Sequence, residues 1–399
     1  MRGGFRLGQL FGIQLGVDWS WGLIFLLLTW NLTTVFHEWH PSWSGGACFV
    51  LAVVAALLFF ASVVAHELAH ARVAQAFGMR VREIRLFLFG GVSNLEREPP
   101  SPKAELLIAV AGPLVSITLG VLFLFTATLT LSHVDPADPV ATLASLGPLG
   151  TLLFWLGPVN LVVGVFNLIP GFPLDGGRVL RALVWRATGS LHRATEAATM
   201  MGRIVGWSFV LLGILMSFGA QIPFFGTGAG RGIWLAFIGW FLSSAAERSF
   251  GALLVEEALE GTRVGHLMRR SGYVVPVGTS VREVVNDWFM RSSDHAFPVV
   301  DGRERLVGLV CVADVRKLAQ DRWDTTSVSE VMTPREELAV VSPNDNAHAA
   351  LRKLGELNVD QLPVLDEGLL VGMLTRADVA RWLELNMNDK PRFGAPRTA

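Results

Sequence analysis

The chain is poor in charged residues and in cysteine. Only 17% of its 399 residues are Asp, Glu, Lys or Arg, while 51% are hydrophobic and 13 are tryptophans. Together with a mean hydropathy of +0.46, this excludes an ordinary soluble enzyme and indicates an integral membrane protein with a soluble part. The two cysteines, Cys48 and Cys311, lie in different regions, so no disulfide framework is expected.

The chain has no excess of positive or negative charge. The formal net charge of -1 identifies no class of partner by itself, and we expect no nucleic-acid partner. A small-residue cleavage site is missing after Arg2 and Arg6. The apolar residues 19–30 are therefore interpreted as part of a retained first membrane span, not as a signal peptide.

Apolar stretches of roughly spanning length predict a polytopic α-helical membrane protein with about six transmembrane helices, followed by a soluble α/β module. The predicted spans are 18–35, 47–76, 105–131, 151–185, 203–220 and 232–248. Lysine and arginine cluster in the connections 77–104 and 186–203 and are missing from 36–46 and 132–150. The positive-inside rule then predicts a multi-pass cell-membrane protein with both termini and the soluble module in the cytoplasm.

A metal-binding motif ends the second apolar run. His66, Glu67 and His70 form an H-E-x-x-H pentad directly after the uncharged residues 48–65. On a helix, residues four apart lie on one face, so both imidazoles can reach one zinc ion with Glu67 beside them. The motif predicts hydrolytic metal chemistry inside, or at the edge of, a membrane-spanning helix.

A broken span supplies a third ligand. Residues 166–178 contain two prolines and three glycines, which no unbroken helix can accommodate. The break delivers Asp175, and two histidines with one carboxylate are a ligand set of catalytic zinc sites. We expect one zinc ion per chain; the alternative is a structural ion pair between histidine and aspartate.

Two further segments stand out in the apolar half. Residues 84–94 have strand-like composition with Gly90-Gly91 as the turn, which predicts a hairpin against the helices. The small residues of Ala111-Gly112-Pro113 are interpreted as a helix-packing and kink element.

The soluble part contains an internal repeat. Residues 297–301 and 306–314 match residues 362–366 and 370–378, with a period of about 63 residues that suits two stacked α/β modules. We predict a membrane domain at 1–250, repeats at 256–322 and 323–388, and a flexible tail at 389–399.

These motifs resemble the site-2 protease class of intramembrane zinc metalloproteases, in the branch with a C-terminal pair of cystathionine-β-synthase (CBS) modules. The resemblance rests on the pentad, on Gly90-Gly91, on 111–114 and on 167–178, and it covers most of the chain. It implies that His66, His70 and Asp175 bind zinc and that Glu67 is the catalytic base. The family's substrates are transmembrane segments of other proteins, so a membrane protein substrate and the lipid bilayer are the implied partners.

The resemblance also implies where substrate binds. Asn167 would face the substrate or the intermediate, although it could instead satisfy backbone groups of the broken helix. An exposed strand edge at 86–93, including Gly90 and Gly91, could hold an extended substrate by β-addition.

In the CBS-type pair, Thr375-x-x-Asp378 resembles a ribose-binding signature, which implies ATP, ADP or AMP as a regulatory ligand. The first repeat has Cys311-x-x-Asp314 and lacks the hydroxyl, so one nucleotide, or none, is expected as readily as two. Asp314 and Asp378 could instead cap the helices that follow them. CBS-type pairs often associate, which favours a homodimer through these modules.

A channel or transporter regulated by a CBS pair is the competing class. Glu67 separates the two, because hydrolysis needs a carboxylate beside the first histidine and an ion pathway does not. A catalytically inactive scaffold of the same fold ranks last, since every expected zinc-site residue is present.

Overall fold

The structure is a computed structural model, and it describes residues 4–87, 90–95, 98–130, 139–270 and 274–387. The chain forms two compact units, Met1–Gly251 and Ala252–Ala399. The predicted tail, 389–399, lies outside the described residues.

The first unit contains a small sheet and a set of helices. Its strands are β1 (Gly4–Leu10), β2 (Ile13–Asp18), β3 (Val81–Phe87) and β4 (Gly90–Leu95). Its helices are α1 (Trp19–Trp39), α2 (Gly45–Ala76), α3 (Pro102–Leu129), α4 (Pro139–Ala144), α5 (Pro148–Asn167), α6 (Asp175–Thr188), α7 (Leu191–Ser217) and α8 (Ala229–Leu259), which continues into the second unit.

Five helices within the described residues are long and apolar enough to cross a membrane: α1, α2, α3, α5 and α7. The membrane fold class is confirmed. The sixth predicted span, 232–248, lies in α8, which carries charged residues at Arg231, Glu247 and Arg248 and is not among the five. The fourth predicted span, 151–185, ends at Asn167, and α6 is a separate amphipathic helix.

Helix α3 lies at the centre of the first unit and packs against α2, α5 and α6. It begins at a proline, after the Ser101 side chain accepts a hydrogen bond from the backbone of Ala104. Glycines let α3 and α5 approach closely: a Cβ added at Gly120 would lie 2.7 Å from Leu161 Cγ, and one at Gly157 would lie 2.6 Å from Leu124 Cγ.

The sheet has the strand order β1-β2-β3-β4. β2 and β3 are parallel, while β1/β2 and β3/β4 are antiparallel. The predicted hairpin is confirmed, but its turn is not Gly90-Gly91, because these residues belong to β4 and pair with Phe87 and Leu86. Leu86 of β3 pairs with β2 on one side and with β4 on the other, so it is not at an edge of the sheet. Among the described strands, the free edge expected over 86–93 is therefore formed by β4 alone.

The second unit is built from two similar halves. Its strands are β5 (Val275–Pro276), β6 (Ala296–Val300), β7 (Leu306–Cys311), β8 (Thr333–Pro334), β9 (Gln361–Asp366) and β10 (Leu369–Thr375). Its helices are α9 (Val264–Leu267), α10 (Val281–Glu283), α11 (Val312–Val315), α12 (Ala347–Glu356) and α13 (Arg376–Met387). Helix α10 continues as a π-helix over Val284–Phe289. Short 3-10 turns occupy Gln320–Arg322, Val328–Glu330 and Arg335–Glu337.

The two halves are joined by backbone pairing, with one strand in one direction and a single bridge in the other. β8, from the start of the second repeat, completes the first sheet in the order β5-β6-β7-β8. Reciprocally, Arg269 from the start of the first repeat forms a bridge with Met373 on β10, beside β9. Each half has its own apolar core, one around Val299 and Val310 and the other around Val364 and Leu374.

Candidate metal centre

Three ligand atoms from two helices converge in the first unit. His66 and His70 lie one turn apart on α2 and are only 4% and 6% exposed, and Asp175 is the first residue of α6. Asp175 Oδ2 lies 3.1 Å from His66 Nε2 and 3.2 Å from His70 Nε2. The two Nε2 atoms are 3.2 Å apart. The described residues contain no other group of three His, Cys, Asp or Glu side chains arranged to hold a metal ion.

This triangle fits zinc. Zinc binds histidine nitrogen and carboxylate oxygen at about 2.0–2.2 Å, so two ligand atoms of a tetrahedral site lie about 3.3 Å apart. The three observed separations of 3.1–3.2 Å match that spacing. Three protein ligands leave a fourth position open, as hydrolytic zinc sites require.

Helix α3 orients both imidazoles. His70 Nδ1 donates to the carbonyl oxygen of Ile108 at 2.6 Å, which leaves its Nε2 unprotonated and aimed at the triangle. His66 Nδ1 is hydrogen-bonded to Ser116 Oγ at 2.9 Å. Neither partner was predicted from the sequence. The signal for Ser116 was a polar side chain in an apolar helix, whereas a backbone carbonyl leaves no signal in the sequence.

Gly112 lies on α3 between these two partners and directly against the two candidate histidine ligands. A Cβ built at this position would lie 2.6 Å from His66 Nε2 and would overlap His70 Nε2 as well. The interpretation of 111–113 as a packing element thereby gains a specific contact at Gly112, because only glycine leaves room here for the two histidine side chains.

Strand β4 passes close over Glu67. This glutamate is half-buried on α2, next to His66. A Cβ built at Gly91 would lie 2.5 Å from Glu67 Cγ and 3.1 Å from Glu67 Oε1. Gly91 is thus the β4 residue that allows the strand to approach the carboxylate of the pentad.

The broken span folds back tightly to deliver Asp175. A Cβ at Gly176 would overlap the carbonyl oxygens of Leu168 and Ile169, and one at Gly177 would overlap the backbone of Gly171. Two consecutive glycines after Asp175 therefore let α6 start against the chain that precedes it.

Asn167 ends α5, and its Nδ2 donates to the carbonyl of Val163 in the same helix at 2.9 Å. This contact matches the backbone-satisfying alternative; contact with substrate stays a prediction. A second asparagine of α5, Asn160, is buried and donates likewise to Leu156 at 2.9 Å. Sequence analysis did not single it out.

In the second unit, Asp378 and Asp314 are the third residues of α13 and α11, so they lie inside these helices and do not precede them. Each accepts the backbone N–H of the residue just before its helix and so caps the start of that helix. Asp378 Oδ2 accepts hydrogen bonds from the Thr375 hydroxyl at 2.6 Å and from the Thr375 backbone at 3.0 Å. Asp314 Oδ2 accepts from the Cys311 backbone at 3.1 Å and from its thiol at 2.8 Å. Both arrangements match the capping alternative.

The basic partners of the two aspartates differ in where they lie in the chain. Lys317 contacts Asp314 at 3.0 Å from the same turn of chain, and this hydrogen bond raises the pKa of Lys317. Asp378 instead accepts a hydrogen bond of 3.2 Å from Nε of Arg269, which belongs to the other repeat. Arg269 also donates to Asp294 at 3.1 Å, so its guanidinium joins two carboxylates.

Comparison with known proteins adds independent support. The family profile of Peptidase family M50 matches residues 54–212, and that of the CBS domain matches residues 264–321 and 328–385. A protein of Mycobacterium tuberculosis, “Putative zinc metalloprotease Rip3”, is 34% identical over 386 residues, 96% of this chain and 94% of its own. “Putative zinc metalloprotease sll0528” of Synechocystis is 33% identical over 386 residues, with 96% of each chain covered.

Among solved structures, the site-2 protease of Methanocaldococcus jannaschii matches 61% of this chain and 94% of its own, with 28% identity and a TM-score of 0.39. The alignments with the two sequence relatives cover nearly the whole chain, including both units. This chain therefore belongs to the site-2 protease family, peptidase family M50, and is a zinc metalloprotease with a C-terminal pair of CBS domains.

Proposed function

We propose that this enzyme hydrolyses peptide bonds within or near transmembrane segments of other membrane proteins, as in regulated intramembrane proteolysis. The observation that carries the proposal is the triangle of His66, His70 and Asp175, whose two histidines lie in the C-terminal half of the apolar helix α2. When bound, zinc polarises the scissile carbonyl and makes water a nucleophile near neutral pH. The five helices that are long and apolar enough to cross a membrane support a lipid setting for this chemistry.

Glu67 is proposed as the general base. Its position next to His66 puts a carboxylate beside the metal ligands, where it can take a proton from the attacking water. The same carboxylate then carries that proton to the leaving amine nitrogen. Ser116 and the Ile108 carbonyl hold the two imidazoles so that their Nε2 atoms keep facing the triangle during these transfers.

Strand β4 is proposed to hold the substrate. A helical segment hides its own carbonyls, so the bond to be cut must first become extended. β4 pairs with β3 on one side and has no strand on the other within the described residues. An extended substrate added at this edge would run past Glu67, because Gly91 of β4 lies against that side chain.

The proposed ligands are tested by the zinc content of purified full-length protein. We expect one zinc per chain in the parent, and loss of zinc after dialysis in His70→Ala and in Asp175→Asn. His37→Ala is the matched control, since this exposed histidine of α1 lies outside the triangle. Zinc retained at the parental level in both ligand variants would contradict the site.

We propose further that an adenine nucleotide binds at the second CBS repeat and modulates the protease. Thr375 and Asp378 place a hydroxyl and a carboxylate 2.6 Å apart, a pair suited to the two hydroxyls of ribose. Because Arg269 already donates a hydrogen bond to Asp378, a ribose hydroxyl that binds this carboxylate must replace the Arg269 contact. The first repeat has the Cys311 thiol in place of the hydroxyl, and burial raises the pKa of that thiol, which keeps it uncharged.

We also propose that the protein lies in the cell membrane and forms a homodimer. The distribution of Lys and Arg supports a cell-membrane protein with its CBS pair in the cytoplasm. Protease digestion of sealed vesicles of known orientation tests this, since the CBS unit should be cut only where the cytoplasmic face is outside. A homodimer through the CBS pair is tested by sedimentation of the full chain, where a monomer over the working concentration range would contradict it.

A further inference from the structure

A cluster of four charged side chains lies outside the metal centre. Glu105, at the start of α3, is fully buried at 0% exposure, and Arg181 of α6 is 6% exposed. Arg181 is hydrogen-bonded and ion-paired to Glu105, and its Nη2 donates to Glu98 at 2.9 Å. Arg178 Nε lies 4.0 Å from Glu105 Oε1. None of these residues takes part in the chemistry proposed above.

Buried charges of this kind contribute little to stability. Removing two charges from water costs nearly as much as their attraction returns, and an apolar pair of the same shape is often as stable. A buried pair does fix geometry, because each charge is satisfied in only one arrangement. The fork of an arginine adds to this effect, since it bonds in a defined plane.

The cluster joins the two helices that build the metal centre. Arg178 and Arg181 follow Asp175 by one and by nearly two turns of α6, whose first residue is Asp175. On α3, Glu105 precedes Ile108 and Gly112 along one face of the helix. The Ile108 carbonyl orients His70, and Gly112 lies against both imidazoles. The pair Glu105–Arg181 thus ties the carboxylate ligand to the helix that orients the histidine ligands.

Two further contacts extend the cluster to the rest of the site. The Arg181 guanidinium lies 5.5 Å from the ring of Phe172, in the broken segment that leads into Asp175. Glu98 follows strand β4, whose Gly91 lies against Glu67. Within the described residues, Glu105 Oε2 has no hydrogen-bond partner, so the Oε1 contacts to arginine are what hold this carboxylate.

We propose that Glu105 and Arg181 form a positioning clamp that holds Asp175 against His66 and His70. The clamp touches neither metal nor substrate and acts by setting the start of α6 relative to α3. Partners that orient metal ligands typically change metal affinity by about 10–100-fold when they are removed. This inference rests on the proposed metal site.

The test is zinc affinity, measured by competition with a chelator on detergent-purified full-length protein. The variants are Glu105→Gln, which keeps the shape and removes the charge, and Arg181→Lys, which keeps the charge and removes the fork. We expect Glu105→Gln to lose about tenfold or more in affinity and Arg181→Lys to lose less. The visible spectrum of the cobalt-substituted protein should shift in both, because it reports ligand geometry.

Arg203→Gln is the matched control. It breaks another ion pair of the first unit, Arg203 Nε to Glu247 Oε1 at 3.3 Å, which joins α7 to α8. This pair is more exposed than Glu105–Arg181, so its loss reports the effect of removing an arginine from the first unit, and the melting temperatures of all variants are measured alongside. A positioning role of Glu105 and Arg181 leaves the zinc affinity and cobalt spectrum of Arg203→Gln parental. Should Glu105→Gln fail to fold, Arg181→Lys decides alone.

Parental affinity and a parental cobalt spectrum in the folded clamp variants would overturn the inference. His70→Ala separates this result from failure of the metal site itself. If His70→Ala loses zinc and the clamp variants do not, the clamp is wrong and the site stands. If His70→Ala keeps its zinc, the site is wrong and the clamp falls with it.

Discussion

Gly112 is the residue that confines the metal ligands most directly. His66 and His70 approach from α2, and any side chain on α3 at this level would occupy the space of their Nε2 atoms. Small residues in membrane helices commonly serve close packing of two backbones. Here the missing side chain makes room for two functional side chains of the neighbouring helix.

Gly112→Ala should therefore weaken zinc binding. The added methyl group must displace at least one imidazole, and we expect zinc affinity to fall about tenfold or more, as for other losses of ligand orientation. Overpacking of this kind also costs about 1–3 kcal/mol of stability. Chelator competition measures the affinity. Gly22→Ala in α1 is the control, because a Cβ there meets no atom within 4 Å; equal affinity in both variants would refute the steric role of Gly112.

At the scale of whole elements, one face of α3 organises the site. Glu105, Ile108, Gly112 and Ser116 recur at helical spacing and meet, in turn, Arg181, His70, both histidines and His66. α2 carries the motif, but α3 supplies its orientation. A hydrophobicity pattern cannot show this face, since α3 is apolar all round except for such isolated positions.

How far the sequence predicts the site depends on how local the determinants are. The pentad is visible because its spacing equals one helical turn, and Asp175 is visible because two prolines forbid a continuous helix. Ser116 and the Ile108 carbonyl are not, because their roles arise from contact between helices. The pairing of β2 with β3 is likewise hidden, since two long helices separate the strands in the chain.

The proposed role of β4 predicts the effect of filling the space at Gly91. Gly91→Val should abolish or strongly reduce cleavage, because a Cβ here lies 2.5 Å from Glu67 Cγ and the added side chain must displace that carboxylate. Zinc content should stay parental, because the three atoms nearest to this Cβ all belong to Glu67 and none to a proposed zinc ligand. Gly46→Val at the start of α2, where a Cβ meets no atom within 4 Å, is the control. Undiminished cleavage by Gly91→Val would count against this path for the substrate.

As a whole molecule, the chain combines a membrane metalloprotease with two CBS domains. The repeat was visible in the sequence, whereas the backbone pairing between its halves was not. Because the start of the first repeat pairs with β10 of the second, Arg269 of the first repeat reaches Asp378 of the second. The proposed nucleotide site is thus shared between the repeats.

Asp378→Asn and Asp314→Asn form a matched pair for testing that site. Both replace the carboxylate by an amide of the same shape, whose oxygen can still accept the backbone hydrogen bond. A saturating adenine nucleotide, at 100 times its dissociation constant, should add about 2.7 kcal/mol to the stability of the CBS unit. We expect the thermal unfolding temperature to rise with AMP or ATP in the parent and in Asp314→Asn, but not in Asp378→Asn. An equal rise in all three proteins, or none in the parent, would contradict nucleotide binding at Thr375 and Asp378.

The central claim is that Glu67 performs proton transfer beside a zinc ion held by His66, His70 and Asp175. Its most direct test is Glu67→Gln, measured for zinc content and for cleavage of a membrane-spanning test substrate together with the parent. We expect one zinc per chain in both proteins and cleavage by the parent alone, because the amide keeps the shape of the side chain but cannot accept the proton. Cleavage by Glu67→Gln at the parental rate, with zinc bound, would contradict it.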